Sequence, residues 1–304
     1  MKRNIISVLD MKDDMPEIVD LAIKLKKERG HHGDPLKGKS LAMIFEKPST
    51  RTRISFDVAM SELGGHPLYI EMSSTHMGGH NETVEDTAHV LSRLVHGVMY
   101  RAYDYKVMDR IGDTATIPVI SGLDNLEHPC QALADMMTIK EKKGGFQGKK
   151  LVYLGDGNNV CNSLLYASAI MGIDMVACCP AVRMPNAEIM LGAARLAEKN
   201  GCHISASHQP KEACRDADVL YTDTWVSMGD DTPVETAVRI FKDYQINSEL
   251  LSIAKPDCIV LHCLPAHRGY EITDEVMDGP QSAVFDQAEN RLHAQKAVLY
   301  TLLK

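Results

Sequence analysis

The sequence predicts an α/β protein of two parallel-sheet domains, with the active site expected in the cleft between them. Three observations carry this expectation. Short apolar runs alternate with segments of helical spacing along all 304 residues, the pattern of parallel strands joined by crossover helices. The alternation restarts at Lys149 with KKLVYLGDG, and the chain is long enough for two cores. Several apolar runs end in polar turns, and open α/β sheets gather their ligands beyond the carboxyl ends of their strands. The expected division is residues 1–132, with a last helix at 288–304 packing back on them, and residues 133–287.

The first strand, Leu41 to Phe45, runs into EKPSTRTR. Pro48 breaks the strand, and Ile54, Val58, Ala59 and Leu63 then mark a helix that stops at Gly64-Gly65. Ser49 and Thr50 stand where N-cap hydroxyls belong, and Arg51 and Arg53 add positive charge to a helix end whose N–H groups already favour anions. The turn reads as an anion site, weighed against a plain surface cap. Pro67 to Ile70 is a second strand, followed by the polar loop EMSSTHMGGHNET and a helix opening at Thr83. Gly97 to Tyr100 is a third strand. It delivers Arg101 at its carboxyl end, a further guanidinium placed for an anion. Ile117 to Ile120 reads as the fourth strand, and the helix begun by HPCQ brings His128 and Gln131 together on one side of its first turn.

In the second half, Gly155-Asp156-Gly157 suggests a dinucleotide turn, but Val160 stands where the third glycine of GxGxxG belongs. The place of the pyrophosphate approach is filled instead by Asn158 and Asn159, whose amides suit a zwitterion. Strands at Ile173 to Cys179 and Asp218 to Thr222 follow, the latter leading to Asp223 and the loop TWVSMG, a carboxylate for an amine beside a loop able to close. Cys258 to Leu264 reads as a strand delivering His262-Cys263-Leu264-Pro265. Neighbours on a strand face opposite ways, so His262 and Cys263 are not expected to share a metal, and no metal or cofactor is expected at all. Cys263 is either a small core residue or a thiol at a reacting centre.

Bulk composition narrows the function classes. Hydrophobic residues at 44% and charged residues at 24% are those of a soluble globular protein. A net charge of −8 leaves no basic surplus for nucleic acid, so any anion is bound locally. No apolar stretch reaches the length of a membrane span or a signal segment, and a cytoplasmic protein is expected. Eight cysteines without a CxxC pair read as reduced thiols.

Taken together, PSTRTR, HPCQ, DTWVSMG and HCLPAHRG, in this order, resemble the aspartate/ornithine carbamoyltransferase family over essentially the whole chain. The first two motifs are common to the family and imply a carbamoyl phosphate site in residues 1–132. DTWVSMG and HCLP point to the ornithine branch and imply ornithine binding in residues 133–287. The resemblance assigns Ser49, Thr50, Arg51, Thr52, Arg101 and Arg291 to carbamoyl phosphate, with His128 and Gln131 at its carbamoyl group. It assigns Asn159, Asp223, Ser227 and Met228 to the ornithine head group, and places Cys263 and Leu264 where the δ-amine meets the carbamoyl carbon. Arg51, Arg101, His128, Asp223 and Cys263 are the residues it implies for the chemistry. The implied reaction carries the carbamoyl group of carbamoyl phosphate to the δ-amine of L-ornithine, giving L-citrulline and phosphate, in a homotrimer or a multiple of it. The alternative is another acceptor: aspartate, putrescine or N-acetylornithine. One departure stands out: the family's loop glutamine is missing from THMGGHNET, where His76, Met77 or His80 lies near its place.

Overall fold

The computed structural model describes residues 2–75, 82–226 and 230–304 and divides into two compact units, Met1–Met137 with Asn290–Lys304, and Thr138–Glu289. Both units are parallel-sheet α/β domains, as expected. The loop residues His76, Met77 and His80, and the site candidates Ser227 and Met228, lie outside the described residues.

The first unit contains α1 (Met15–Lys27), β1 (Ser40–Phe45), α2 (Thr50–Glu62), β2 (His66–Glu71), α3 (Val84–Leu94), β3 (Gly97–Arg101), α4 (Tyr105–Thr114) and β4 (Val119–Leu123). The helix α5 (Pro129–Lys143) begins in this unit, and the division falls within it. The sheet order is β2-β1-β3-β4, all parallel. Ala42, Ile44, Val98, Tyr100 and Val119 pack one sheet face against Val84 and Ala88 of α3 and Met108 and Ile111 of α4. Strands buried this way read as continuous apolar runs, which is why the sequence shows them clearly.

Two expectations needed correction here. The fourth strand begins and ends later than 117–120, and a register shift between Tyr100 and Arg101 marks its pairing with β3. On α2 the buried stripe is Phe56, Ala59, Met60 and Leu63, whereas Ile54 is 56% exposed. Period alone left the stripe's centre undetermined by about one residue.

The second unit contains β5 (Lys150–Leu154), α6 (Asn159–Met171), β6 (Asp174–Cys178), α7 (Ala187–Asn200), β7 (Ile204–Ser207), α8 (Pro210–Cys214), β8 (Val219–Thr222), α9 (Val234–Phe241), α10 (Ser248–Ile253), β9 (Ile259–His262) and α11 (Asp274–Met277). The last helix, α12 (Val284–Leu303), starts here and continues into the first unit. Its sheet order is β7-β6-β5-β8-β9, again all parallel. No helix among the described residues is long and apolar enough to cross a membrane.

In each sheet the strand order reverses once, between β1 and β3 in the first and between β5 and β8 in the second. Loops leaving two strands on either side of such a reversal diverge to opposite faces, which opens a crevice at the strands' carboxyl ends. The crevice of the first sheet is edged by the paired ends Phe45 and Arg101, that of the second by Leu154 and Thr222.

Candidate active site

The turn after β1 is built as the sequence suggested. Ser49 has extended backbone, φ −158° and ψ 108°, and its hydroxyl accepts from the Thr52 amide at 3.4 Å, capping α2. Ser49 and Arg51 are half-buried, Thr50 is exposed and Thr52 is buried. Arg53 departs from expectation: its guanidinium stacks 3.7 Å over the ring of Tyr69 on β2. The helical rotation between positions 51 and 53 separates the two arginines, so their closeness in sequence overstated the charge at the turn.

Arg101 is carried into this turn by β3. The register shift after Tyr100 re-aims it, as bulges do, and its Nη1 donates to the Gly122 carbonyl at 3.1 Å and to Thr52 Oγ1 at 3.3 Å. Gly122 must be small, since a Cβ there would lie 2.6 Å from Met99 Sδ and 3.2 Å from Arg101 Cβ. From α12, Arg291 Nη2 donates to the same Thr52 oxygen at 3.2 Å, and Nη1 to Gln131 Oε1 at 2.7 Å. Gln131 in turn donates to Asp135 Oδ1 at 2.8 Å. Thr52, Arg101, Gln131, Arg291 and His128 are all nearly or fully withdrawn from solvent.

This grouping sets the state of His128. Burial, then the charges of Arg291, Arg101, Lys47 and Arg51, hold its imidazole well below the usual histidine range. It is therefore a neutral ring at physiological pH, able to donate a hydrogen bond without carrying a charge. Two guanidinium groups converging on one threonine hydroxyl beside a neutral imidazole form a cationic pocket suited to an anion.

The second unit assembles a different chemistry. Asp223, immediately after β8, is buried, and its Oδ2 accepts from Asn158 Nδ2 at 2.7 Å. Its Oδ1 lies 2.9 Å from Cys263 Sγ, which donates, and also accepts from the Thr224 amide at 2.8 Å. Asn158 caps α6 through Oδ1, accepting from the amides of Val160 and Cys161, and also receives the Tyr153 hydroxyl at 3.2 Å. Its carboxamide is thus oriented from both ends. Asn159 opens α6 one residue on, half-buried. Sequence reasoning placed Asn159 at the ligand but did not see that Asn158 positions Asp223; the N-cap place before an apolar helix was the available signal.

The strand expected at Cys258 to Leu264 ends at His262. With the strand ended at His262 and Leu264 at φ 59°, Cys263 and Leu264 lie on a turn rather than on a strand. The alternating-face argument therefore fails for this pair: donor atoms of Asp223, His262 and Cys263 lie within 4.8 Å of one another. Hydrogen bonds account for the closeness. His262 Nδ1 accepts from the Leu264 amide at 2.8 Å and Nε2 pairs with Glu271 Oε1 at 3.0 Å, which fixes the neutral tautomer with its proton on Nε2. His262 thus holds the turn that presents Cys263 and Leu264, both half-buried.

A parallel α/β protein with an anion receptor at one sheet's reversal and a carboxylate–thiol pair at the other's is organised as a two-substrate group-transfer enzyme. The comparisons identify the family. Residues 3–141 match the family model "Aspartate/ornithine carbamoyltransferase, carbamoyl-P binding domain", and residues 147–302 match "Aspartate/ornithine carbamoyltransferase, Asp/Orn binding domain". The chain belongs to the aspartate/ornithine carbamoyltransferase family. It is 51% identical over 302 residues, 99% of each chain, to the catabolic ornithine carbamoyltransferase of Thermoplasma acidophilum. It is 53% identical over 301 residues, again 99% of each, to the ornithine carbamoyltransferase of Methanobrevibacter smithii. The solved ornithine carbamoyltransferase of Pyrococcus furiosus superposes with a TM-score of 0.95 at 48% identity, covering 99% of this chain and 96% of that one.

Proposed function

We propose that this protein transfers the carbamoyl group of carbamoyl phosphate to the δ-amine of L-ornithine, releasing L-citrulline and phosphate. The observation that carries the donor half is the convergence of Arg101 and Arg291 on Thr52 Oγ1 beside neutral His128. In this reading Ser49, Thr50, Arg51 and Thr52 hold the phosphate on the amino end of α2, with Arg101 and Arg291. His128 and Gln131 address the carbamoyl oxygen and amide. The acceptor half rests on Asp223, held by Asn158 and Cys263, as the carboxylate for ornithine's ammonium, with Asn159, Ser227 and Met228 completing the head-group site and Leu264 beside the carbamoyl group.

The uncharged δ-amine attacks the carbamoyl carbon, forming the C–N bond. Negative charge grows on the carbamoyl oxygen, where Arg101, His128 and the Thr52 hydroxyl stabilise it. The carbon–oxygen bond to phosphate then breaks, the electron pair leaves with phosphate, and the amine's extra proton goes to phosphate or solvent. The step draws on no metal or organic cofactor. The same residues serve the reverse phosphorolysis, so the reading covers arginine biosynthesis and arginine catabolism alike. The reading carries with it a homotrimer or a multiple of it and a cytoplasmic setting, both resting on family membership.

A donor aimed at charge that grows in the transition state, for Arg51 the charge gathering on the departing phosphate, contributes about 3 kcal/mol. Arg51→Ala should therefore reduce turnover roughly a hundredfold or more in a colorimetric citrulline assay, beyond what saturating carbamoyl phosphate restores. Wild-type turnover in that variant overturns the phosphate assignment.

A further inference from the structure

Lys47 stands in the turn between β1 and α2, directly before Pro48 and Ser49, and the reading above leaves it without a task. It is 6% exposed, which is rare for a lysine without a close carboxylate partner. Its ammonium lies 5.0 Å from the centroid of the Tyr103 ring and makes no hydrogen bond among the described residues. The charged and titratable groups around it come from four segments: Glu46 on its own turn, Arg101 on β3, Asp124 after β4, and the neutral His128 before α5. Both carboxylates are already engaged. Glu46 accepts from the Tyr100 hydroxyl and the Tyr103 amide, while Asp124 Oδ1 accepts from the amides of Leu126 and Glu127, each at 2.8 Å. A nearly buried ammonium is thus left facing a guanidinium, with its hydrogen-bonding capacity unused, at the edge of an anion receptor.

We propose that Lys47 is a further anion-directed cation of the carbamoyl phosphate half-site, and that it takes up a proton as the phosphate dianion binds. The proposal rests on the reading of this unit as a carbamoyl phosphate site. Burial and then the neighbouring Arg101 bring the free amine down to about 8, with Asp124 and Glu46 opposing. A dianion arriving at Arg101 and Lys47 offsets the repulsion and raises the lysine again. Linkage fixes the sign: below the free value both states are protonated and affinity is flat, whereas above it only the complex holds the proton and affinity falls as pH rises.

The test uses phosphonoacetamide, a stable analogue of carbamoyl phosphate, and titration calorimetry in buffers of different ionisation enthalpy. At pH 8.5 the wild type should take up about three-quarters of a proton per analogue bound, as a free value of about 8 requires. Its affinity should weaken roughly sixteenfold between pH 8 and pH 9.5, the slope steepening towards tenfold per unit at the upper end. Lys47→Arg, which cannot deprotonate in this range, should bind with little uptake and flat affinity, regaining the tightness lost by Lys47→Met. Uptake in Lys47→Arg equal to that of the wild type, or wild-type binding without uptake, overturns the role of Lys47 alone. A wild-type chain that fails to bind the analogue at pH 7 overturns the half-site reading as well.

Discussion

His128 provides the sharpest mechanistic prediction, because its environment fixes its charge. The ring is 5% exposed, and four cations, Arg291, Arg101, Lys47 and Arg51, add to burial in keeping it unprotonated. On the proposed function this ring donates, uncharged, to the carbamoyl oxygen, and its worth is then that of one oxyanion donor in a dry site, about 3 kcal/mol. His128→Ala should then lower kcat roughly 150-fold with a small change in the KM for ornithine. Because burial and the surrounding cations hold the folded imidazole well below its usual range, it is neutral at pH 7 and above, and the wild-type kcat profile should show no inflection near 6.5 that the variant lacks. Steady-state citrulline formation between pH 5.5 and 9.5 measures both. A kcat within threefold of wild type, or an inflection near 6.5 abolished by the substitution, refutes the assignment of a neutral donor.

Other substitutions test how the half-sites are supported. Asn158→Ser keeps a capping hydroxyl on α6 but loses the donor to Asp223, so folding stability should largely hold while the KM for ornithine rises about tenfold or more; Asn158→Ala should lose roughly 1 kcal/mol of stability as well, read by urea denaturation. Gly157→Ala would set a Cβ 2.2 Å from Pro185 N and 2.3 Å from Met184 C, and since backbone cannot yield as a side chain does, a loss of about 3 kcal/mol is expected by the same assay. Lys296 on α12 has a fully buried side chain paired with Glu62, whose carboxyl is about a quarter exposed and held below its usual range by Lys296 and Arg29 against its own burial. Glu62→Gln strands that ammonium and should cost about 2 kcal/mol at pH 7, below the 3–5 typical of a fully buried pair because water still reaches position 62. The depressed carboxyl makes this contribution present above about pH 4.5 and lost as pH falls, so the gap between the two proteins should close on acidification.

What the sequence made legible and what it hid divide along a physical line. Strands buried on both faces announce themselves as apolar runs, and the residues at their carboxyl ends can be read off, which is how Arg101 and Asp223 were placed before any coordinates. Helix starts were equally plain, since Ser49 and Thr83 are hydroxyl caps and both cap their helices. Direction within a turn was not legible. Nothing in HCLPAHRG shows that the chain leaves the sheet at Cys263, or that the His262 ring bonds the amide two residues on. Arg53 and Lys47 make the same point from opposite sides. Two arginines close in sequence suggest one charge cluster, yet one stacks on Tyr69, while a lysine with no motif of its own is buried beside Arg101. Both outcomes depend on which neighbours the fold supplies, and periodicity carries no record of that.

The central claim is that carbamoyl phosphate is the donor and L-ornithine the acceptor, and one measurement addresses it directly. The purified protein is given carbamoyl phosphate with saturating L-ornithine, L-aspartate, putrescine or N-acetyl-L-ornithine in turn, and the carbamoylated product is quantified by mass to obtain kcat/KM for each. Sites that pair a substrate's charged groups reject analogues lacking them by about 10⁴. The account predicts citrulline from ornithine as the dominant product, with the other acceptors at least a thousandfold behind. A higher kcat/KM for any of the other three, or no carbamoyl transfer to ornithine, contradicts it.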